Sequence, residues 1–172
     1  PVIGVVLIPE KDELWISNGK NTWCEKRDNS KQSLDLYLEK DISEMIVVTS
    51  KNHNNITLKN LIDRIQFKEI IEMGSVGCKI ASIIRGDSDV YICLSLPGEG
   101  SPKDWDFAAP EAILNAAGGR ITKIDSGSLI YGKTGFEQGG LIIASNNHKR
   151  HKEICFQIKE IIKKENIISI DF

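Results

Sequence analysis

From Met45 onward, short apolar runs alternate with stretches of helical period, and this alternation narrows the possible folds more than any other feature of the chain. Met45 to Val48 is a compact apolar run that ends in Thr49-Ser50. Leu58, Leu61, Ile62 and Ile65 follow at i, i+3, i+4 and i+7, the stripe of an amphipathic helix. Phe67 to Met73 then predicts a strand, Cys78 to Ile84 a short helix and Asp89 to Leu94 a strand. Phe107 to Ala117 predicts a helix, Leu141 to Ser145 a strand, and Lys149 to Lys164 a closing helix. That order belongs to the α/β class, a mixed sheet flanked by helices.

The first part of the chain follows another rule. Val2 to Ile8, Glu13 to Ser17 and Thr22 to Arg27 are short segments rich in strand formers, the last two joined across Asn18-Gly19-Lys20-Asn21, and they predict an antiparallel meander. Residues 28 to 44 are polar and read as a surface connection with at most a short strand at Leu34 to Leu38. The expected division is therefore 1–44, the remnant of an antiparallel-sheet domain, and 45–172, an α/β domain. The chain opens on Pro1-Val2-Ile3 inside the first strand segment and without methionine, so sequence upstream of Pro1 is expected.

Composition serves mainly to exclude. With 41% hydrophobic residues in 172, the chain can bury roughly two-thirds of the surface of its unfolded form. Lysine and arginine number 22 against 24 acidic residues, with no long run of either sign, so neither a nucleic-acid partner nor a membrane partner is expected. The longest apolar stretches fall well short of the ~20 residues that cross a bilayer. Cys24, Cys78, Cys93 and Cys155 form no CxxC pair, which favours reduced thiols and a cytoplasmic location.

The chemistry concentrates in Trp105-Asp106-Phe107-Ala108-Ala109-Pro110-Glu111-Ala112-Ile113-Leu114-Asn115-Ala116-Ala117-Gly118-Gly119. Asp106 is an N-cap candidate, Pro110 lies near the first turn, and Pro110, Ile113, Leu114 and Ala117 form one apolar stripe before a Gly-Gly stop. An aspartate before an apolar run ordinarily just caps its helix. Here the positive helix end and nearby amides also keep the carboxylate ionised, and an ionised carboxylate is a hard oxygen ligand suited to magnesium.

The whole string resembles the second signature of the inositol monophosphatase superfamily, in which the aspartate binds a catalytic metal. Met73-Gly74-Ser75-Val76-Gly77-Cys78-Lys79 and Gly86-Asp87-Ser88-Asp89-Val90-Tyr91 are similar to the stretch before that signature, and Gly139 to Ser145 to the final core strand. Val48-Thr49-Ser50-Lys51-Asn52-His53-Asn54 resembles the Ser-Arg-Ser-His loop of the 3'(2'),5'-bisphosphate nucleotidase branch, with Lys51-Asn52 in place of Arg-Ser. The resemblance implies a layered αβαβα sugar-phosphatase fold, of which this chain is the C-terminal part. It further implies hydrolysis of the 3'-phosphate of 3'-phosphoadenosine 5'-phosphate to AMP with two or three magnesium ions, and sensitivity to lithium.

On that basis Asp106 is the expected metal ligand and Lys79, Ser75, Gly77, His53 and Ser50 the expected substrate contacts. Lys79 would offer a point charge beside helix-end amides, a phosphate cradle. His53 would meet the adenine, while His148 and His151 are expected at the surface. The superfamily's first metal motif, Asp-Pro-x-Asp-Gly-Thr, and its glutamate do not occur here, so the catalytic residues are expected upstream of Pro1 and this chain alone is expected to be inactive. The partner is a small nucleotide, the assembly a monomer or homodimer. Two alternatives remain open: an inositol or sugar-phosphate monophosphatase, and a non-catalytic nucleotide-binding or interaction domain.

Overall fold

In a computed structural model, which describes residues 1–28, 31–32, 40–51, 55–96 and 100–167, the meander is present. Strand β1 spans Gly4–Ile8, β2 Glu13–Ser17, β3 Thr22–Glu25 and β4 Lys31–Gln32. They pair antiparallel in that order, with Gly4 opposite Ser17 and Trp15 opposite Cys24. The turn at Asn18 closes because its Oδ1 accepts from the Lys20 and Asn21 amides while Gly19 takes a φ of 90°. Val2 and Ile3 precede the strand rather than belong to it. The proposed strand at Leu34 to Leu38 and the site residue His53 lie outside the described residues.

The second sheet holds β5 (Ile46–Ser50), β6 (Glu69–Met73), β7 (Val90–Ser95), β8 (Arg120–Lys123) and β9 (Gly140–Ser145), in the order β6-β5-β7-β9-β8. Strands β6, β5 and β7 are parallel, whereas β9 runs antiparallel to both β7 and β8. The helices are α1 (Ile56–Ile65), α2 (Val76–Arg85), α3 (Asp104–Ala116) and α4 (His148–Glu165). Among the described residues no helix is long and apolar enough to cross a membrane.

Period-two alternation sorts the two cores. Along β7, Val90, Ile92 and Leu94 join Leu58, Leu61, Ile62 and Ile65 of α1 and Ile154, Ile158 and Ile162 of α4. Tyr91 and Cys93 face the other way, towards Ile80, Ile83 and Ile84 of α2, Phe107, Ile113 and Leu114 of α3, and Ile8, Trp15 and Cys24 of the meander. The layers are thus antiparallel sheet, α2 with α3, mixed sheet, and α1 with α4. Burial on both faces is why β5, β7 and β9 read as continuous apolar runs.

Two buried carboxylates fix neighbouring elements to each other. Glu13 accepts from Arg85 Nη1 at 2.6 Å and Trp15 Nε1 at 2.9 Å, joining β2 to α2 through a buried ion pair. Asp89, also buried, accepts from Lys40 Nζ and from the Ile46 amide at the start of β5. At Gly4 the backbone of β1 runs against α3, and a Cβ there would lie 2.5 Å from the Ala109 carbonyl oxygen.

Several sequence expectations need correction. Phe67 and Lys68 precede β6, and β8 lies in a stretch assigned to no element. The N-cap of α3 is Lys103, with Asp106 in the third helical position, and Pro110 sits inside the helix. His148 is exposed as expected, but His151 is only 1% exposed. Its α4 face packs on β8 and β9, where Nδ1 meets Ser145 Oγ and Nε2 meets Thr122 Oγ1, both at 2.8 Å.

Candidate active site

The carboxyl ends of the parallel strands β5, β6 and β7 lie side by side, with Ser50 opposite Met73 in the register, and α2 and α3 begin beside them. A crevice outside the carboxyl ends of parallel strands is where open α/β sheets hold ligands. Here it is a cleft of about 330 Å³ lined by residues that include Ser50, Ser75, Lys79, Tyr91, Ser95 and Asp106. Four sequence-derived site residues, Ser50, Ser75, Lys79 and Asp106, therefore share one cavity.

Lys79 dominates its electrostatics. The side chain is 2% exposed, its ammonium lies 5.3 Å from the Tyr91 ring centroid, and it donates to the Ser75 carbonyl at 3.2 Å. Among the described residues no carboxylate stands within ion-pair distance of it. Burial pushes its pKa down, opposed by the nearby Cys93, Cys78 and Asp106 groups. Lys79 also lies in the first turn of α2, where helix amides lack intrahelical acceptors and the helix end is positive. A buried cation at a positive helix end leaves an unmet demand for an anion.

Ser75 precedes that helix with a φ of 50° and ψ of 130°, a conformation that costs a non-glycine residue on the order of 1–3 kcal/mol. The strained turn brings the Ser75 carbonyl to both the amide and the ammonium of Lys79. Gly77 stands elsewhere. A Cβ there would lie 2.9 Å from Val6 Cγ1, so Gly77 serves the approach of α2 to β1 and does not line the cleft.

Asp106 closes the opposite wall. Its Oδ2 accepts from the Lys103 amide at 2.8 Å, and its own amide donates to the Lys103 carbonyl, a capping arrangement that holds the carboxylate at the first turn of α3. Pro110 lacks the N–H that would bond the Asp106 carbonyl four residues back, so the first turn is less constrained by the helix itself. Among the described residues no three histidine, cysteine, aspartate or glutamate side chains stand close enough to hold a metal ion. Asp106 offers one carboxylate, whereas a divalent-ion site requires several oxygen ligands, so the described residues do not form such a site by themselves.

Tyr91, Cys93 and Ser95 were missed as lining residues. They occupy alternate positions of β7, and Tyr91 and Ser95 are the positions where that apolar run turns polar, a signal visible in the sequence once a face is chosen. Burial raises the pKa of the Cys93 thiol, which keeps it neutral and unreactive.

Residues 1–163 match the model of the inositol monophosphatase family. The 3'(2'),5'-bisphosphate nucleotidase CysQ of Buchnera aphidicola is 33% identical over 131 residues, which cover 76% of this chain and 46% of that protein. The 3'(2'),5'-bisphosphate nucleotidase 1 of Dictyostelium discoideum is 30% identical over 122 residues, 69% of this chain and 38% of its own length. The match spans less than half of each relative. Among solved structures, a staphylococcal IMPase-II superposes with a TM-score of 0.72 at 20% identity, covering 99% of this chain and 63% of that one.

Proposed function

Because this chain belongs to the inositol monophosphatase family, we propose that the protein it forms part of is a magnesium-dependent phosphomonoesterase that removes the 3'-phosphate of 3'-phosphoadenosine 5'-phosphate, releasing AMP. The observation that carries this reading is the buried Lys79 ammonium at the carboxyl ends of the parallel strands, with no carboxylate among the described residues in ion-pair distance of it. Enzymes of this family are metal-dependent phosphatases, and the relatives above are named as bisphosphate nucleotidases.

In this reading Lys79 and the first-turn amides of α2 hold a phosphate, with Ser75 and Ser50 beside it. The positive field there stabilises the anion without any movement of the chain. Tyr91 walls the cleft behind the ammonium and keeps bulk water from it. Asp106 contributes one carboxylate to the metal site, and the remaining ligands come from residues outside the described set. His53 contacts the base. The free thiols of all four cysteines accord with a cytoplasmic protein, and a small nucleotide is the partner of a monomer or homodimer.

The test is phosphate release by the full-length protein from 3'-phosphoadenosine 5'-phosphate and from inositol 1-phosphate, with and without Mg²⁺. Release from the nucleotide that depends on Mg²⁺ is the expected result. Faster turnover of inositol 1-phosphate, unaffected by His53→Ala, would instead establish the polyol-phosphatase alternative. No release from either substrate would leave a binding domain.

A further inference from the structure

The first turn of α3 is held from outside by a segment that the functional reading leaves without a role. Residues 124–139, between β8 and β9, carry no regular structure beyond one isolated bridge, Lys103 with Glu137. The bonds at its far end run almost entirely to residues 102–104. Gln138 N donates to the Pro102 carbonyl at 2.8 Å, and Asp104 N donates to the Phe136 carbonyl at 2.9 Å. Asp104 Oδ2 accepts from the Gly132 amide at 2.6 Å, and Lys103 Nζ pairs with Glu137 at 2.8 Å.

Gln138 stands at the root of this clasp and is 1% exposed. Its Nε2 donates to Asp104 Oδ1 at 2.6 Å and to the Ile130 carbonyl at 2.9 Å. Both partners are acceptors, so the position requires a side chain with two N–H groups on one atom, and neither glutamate nor leucine can supply them. Gly139 follows with its Cα side against Ser101 Oγ, on the cleft wall.

We propose that Gln138 is a positioning residue for the cleft. Through Asp104 and the 130–138 segment it fixes the first turn of α3, and with it the Asp106 carboxylate and the Ser101-Pro102 wall. Pro110 makes this outside support necessary, since it removes a helical bond from that same turn. The inference rests on the cleft being a phosphate-ester site.

The test uses three variants of the full-length protein: Gln138→Leu, Gln138→Glu, and Gln138→Glu combined with Asp104→Asn. The double variant reverses the pair, with the new amide donating to the new carboxylate and its oxygen still accepting from Gly132. Amide hydrogen exchange at Gly132 and Asp104 is read by NMR without ligand, and affinity for 3'-phosphoadenosine 5'-phosphate by titration. Each single variant is expected to speed exchange at both amides at least tenfold and to weaken binding about tenfold, with the double variant recovering part of both. Wild-type exchange in the single variants, or faster exchange with unchanged affinity, would overturn the proposal. So would a double variant no better than Gln138→Glu. Were wild type itself not to bind the nucleotide, the functional reading would fall, and exchange in the three variants would decide the positioning role alone.

Discussion

At the scale of single residues, the contrast between Lys79 and His151 shows how burial separates a demanding group from a satisfied one. Lys79 is buried with no carboxylate among the described residues in ion-pair distance, its amine meeting the Ser75 carbonyl and the Tyr91 ring. His151 is neutral and complete: the Thr122 hydroxyl hydrogen goes to the Lys123 carbonyl, so Nε2 donates to Thr122 and Nδ1 accepts from Ser145. Burial, with Arg120 nearby, lowers its pKa from 6.5 to about 4. The unfolded chain therefore takes up the proton first. This contribution to stability is complete above pH 6.5 and is lost as pH falls towards 4, a change of about 3 kcal/mol. Urea denaturation of wild type and His151→Gln across that range is expected to show a steeper acid loss in wild type; parallel curves would contradict it. The sequence made Lys79 and Asp106 visible through their motifs. The burial of His151 was hidden because, although Ile154 and Ile158 follow at i+3 and i+7, Lys149, Arg150 and Lys152 around it suggest a solvated start to the helix.

At the scale of elements, strands and helices with long apolar repeats were legible, and those set by tertiary partners were not. Leu58, Leu61, Ile62 and Ile65 became the buried face of α1 as their spacing required. The strand β8 escaped notice because Arg120-Ile-Thr-Lys is four residues long and is held by pairing with β9. Helix α3 starts earlier than its apolar stripe because the Asp106 side chain turns back to Lys103. Its approach to β1 depends on the absence of a side chain at Gly4. Gly4→Val should cost at least 2 kcal/mol, roughly the upper part of the usual range for overpacking, because the obstacle is backbone that cannot rotate away. Chemical denaturation would measure this, and a loss below about 0.5 kcal/mol would mean that β1 can shift without disturbing α3.

At the scale of the molecule, the arrangement of layers explains why the cleft exists where it does. Helices α2 and α3 fill the space between the sheets, and both begin at the carboxyl ends of β6 and β7. The positive ends of two helices and the buried Lys79 are thus collected at one point by the topology, which the sequence could announce only as separate motifs. The Glu13–Arg85 pair and the Gly4 contact bind the meander to that same helical layer. Calorimetric titration of 3'-phosphoadenosine 5'-phosphate and of inositol 1-phosphate into wild type and Lys79→Met tests the central claim most directly. The nucleotide is expected to bind wild type at least tenfold more tightly than the polyol phosphate, and Lys79→Met to lose most of that affinity while remaining folded. Equal affinity of Lys79→Met and wild type for the nucleotide would contradict it.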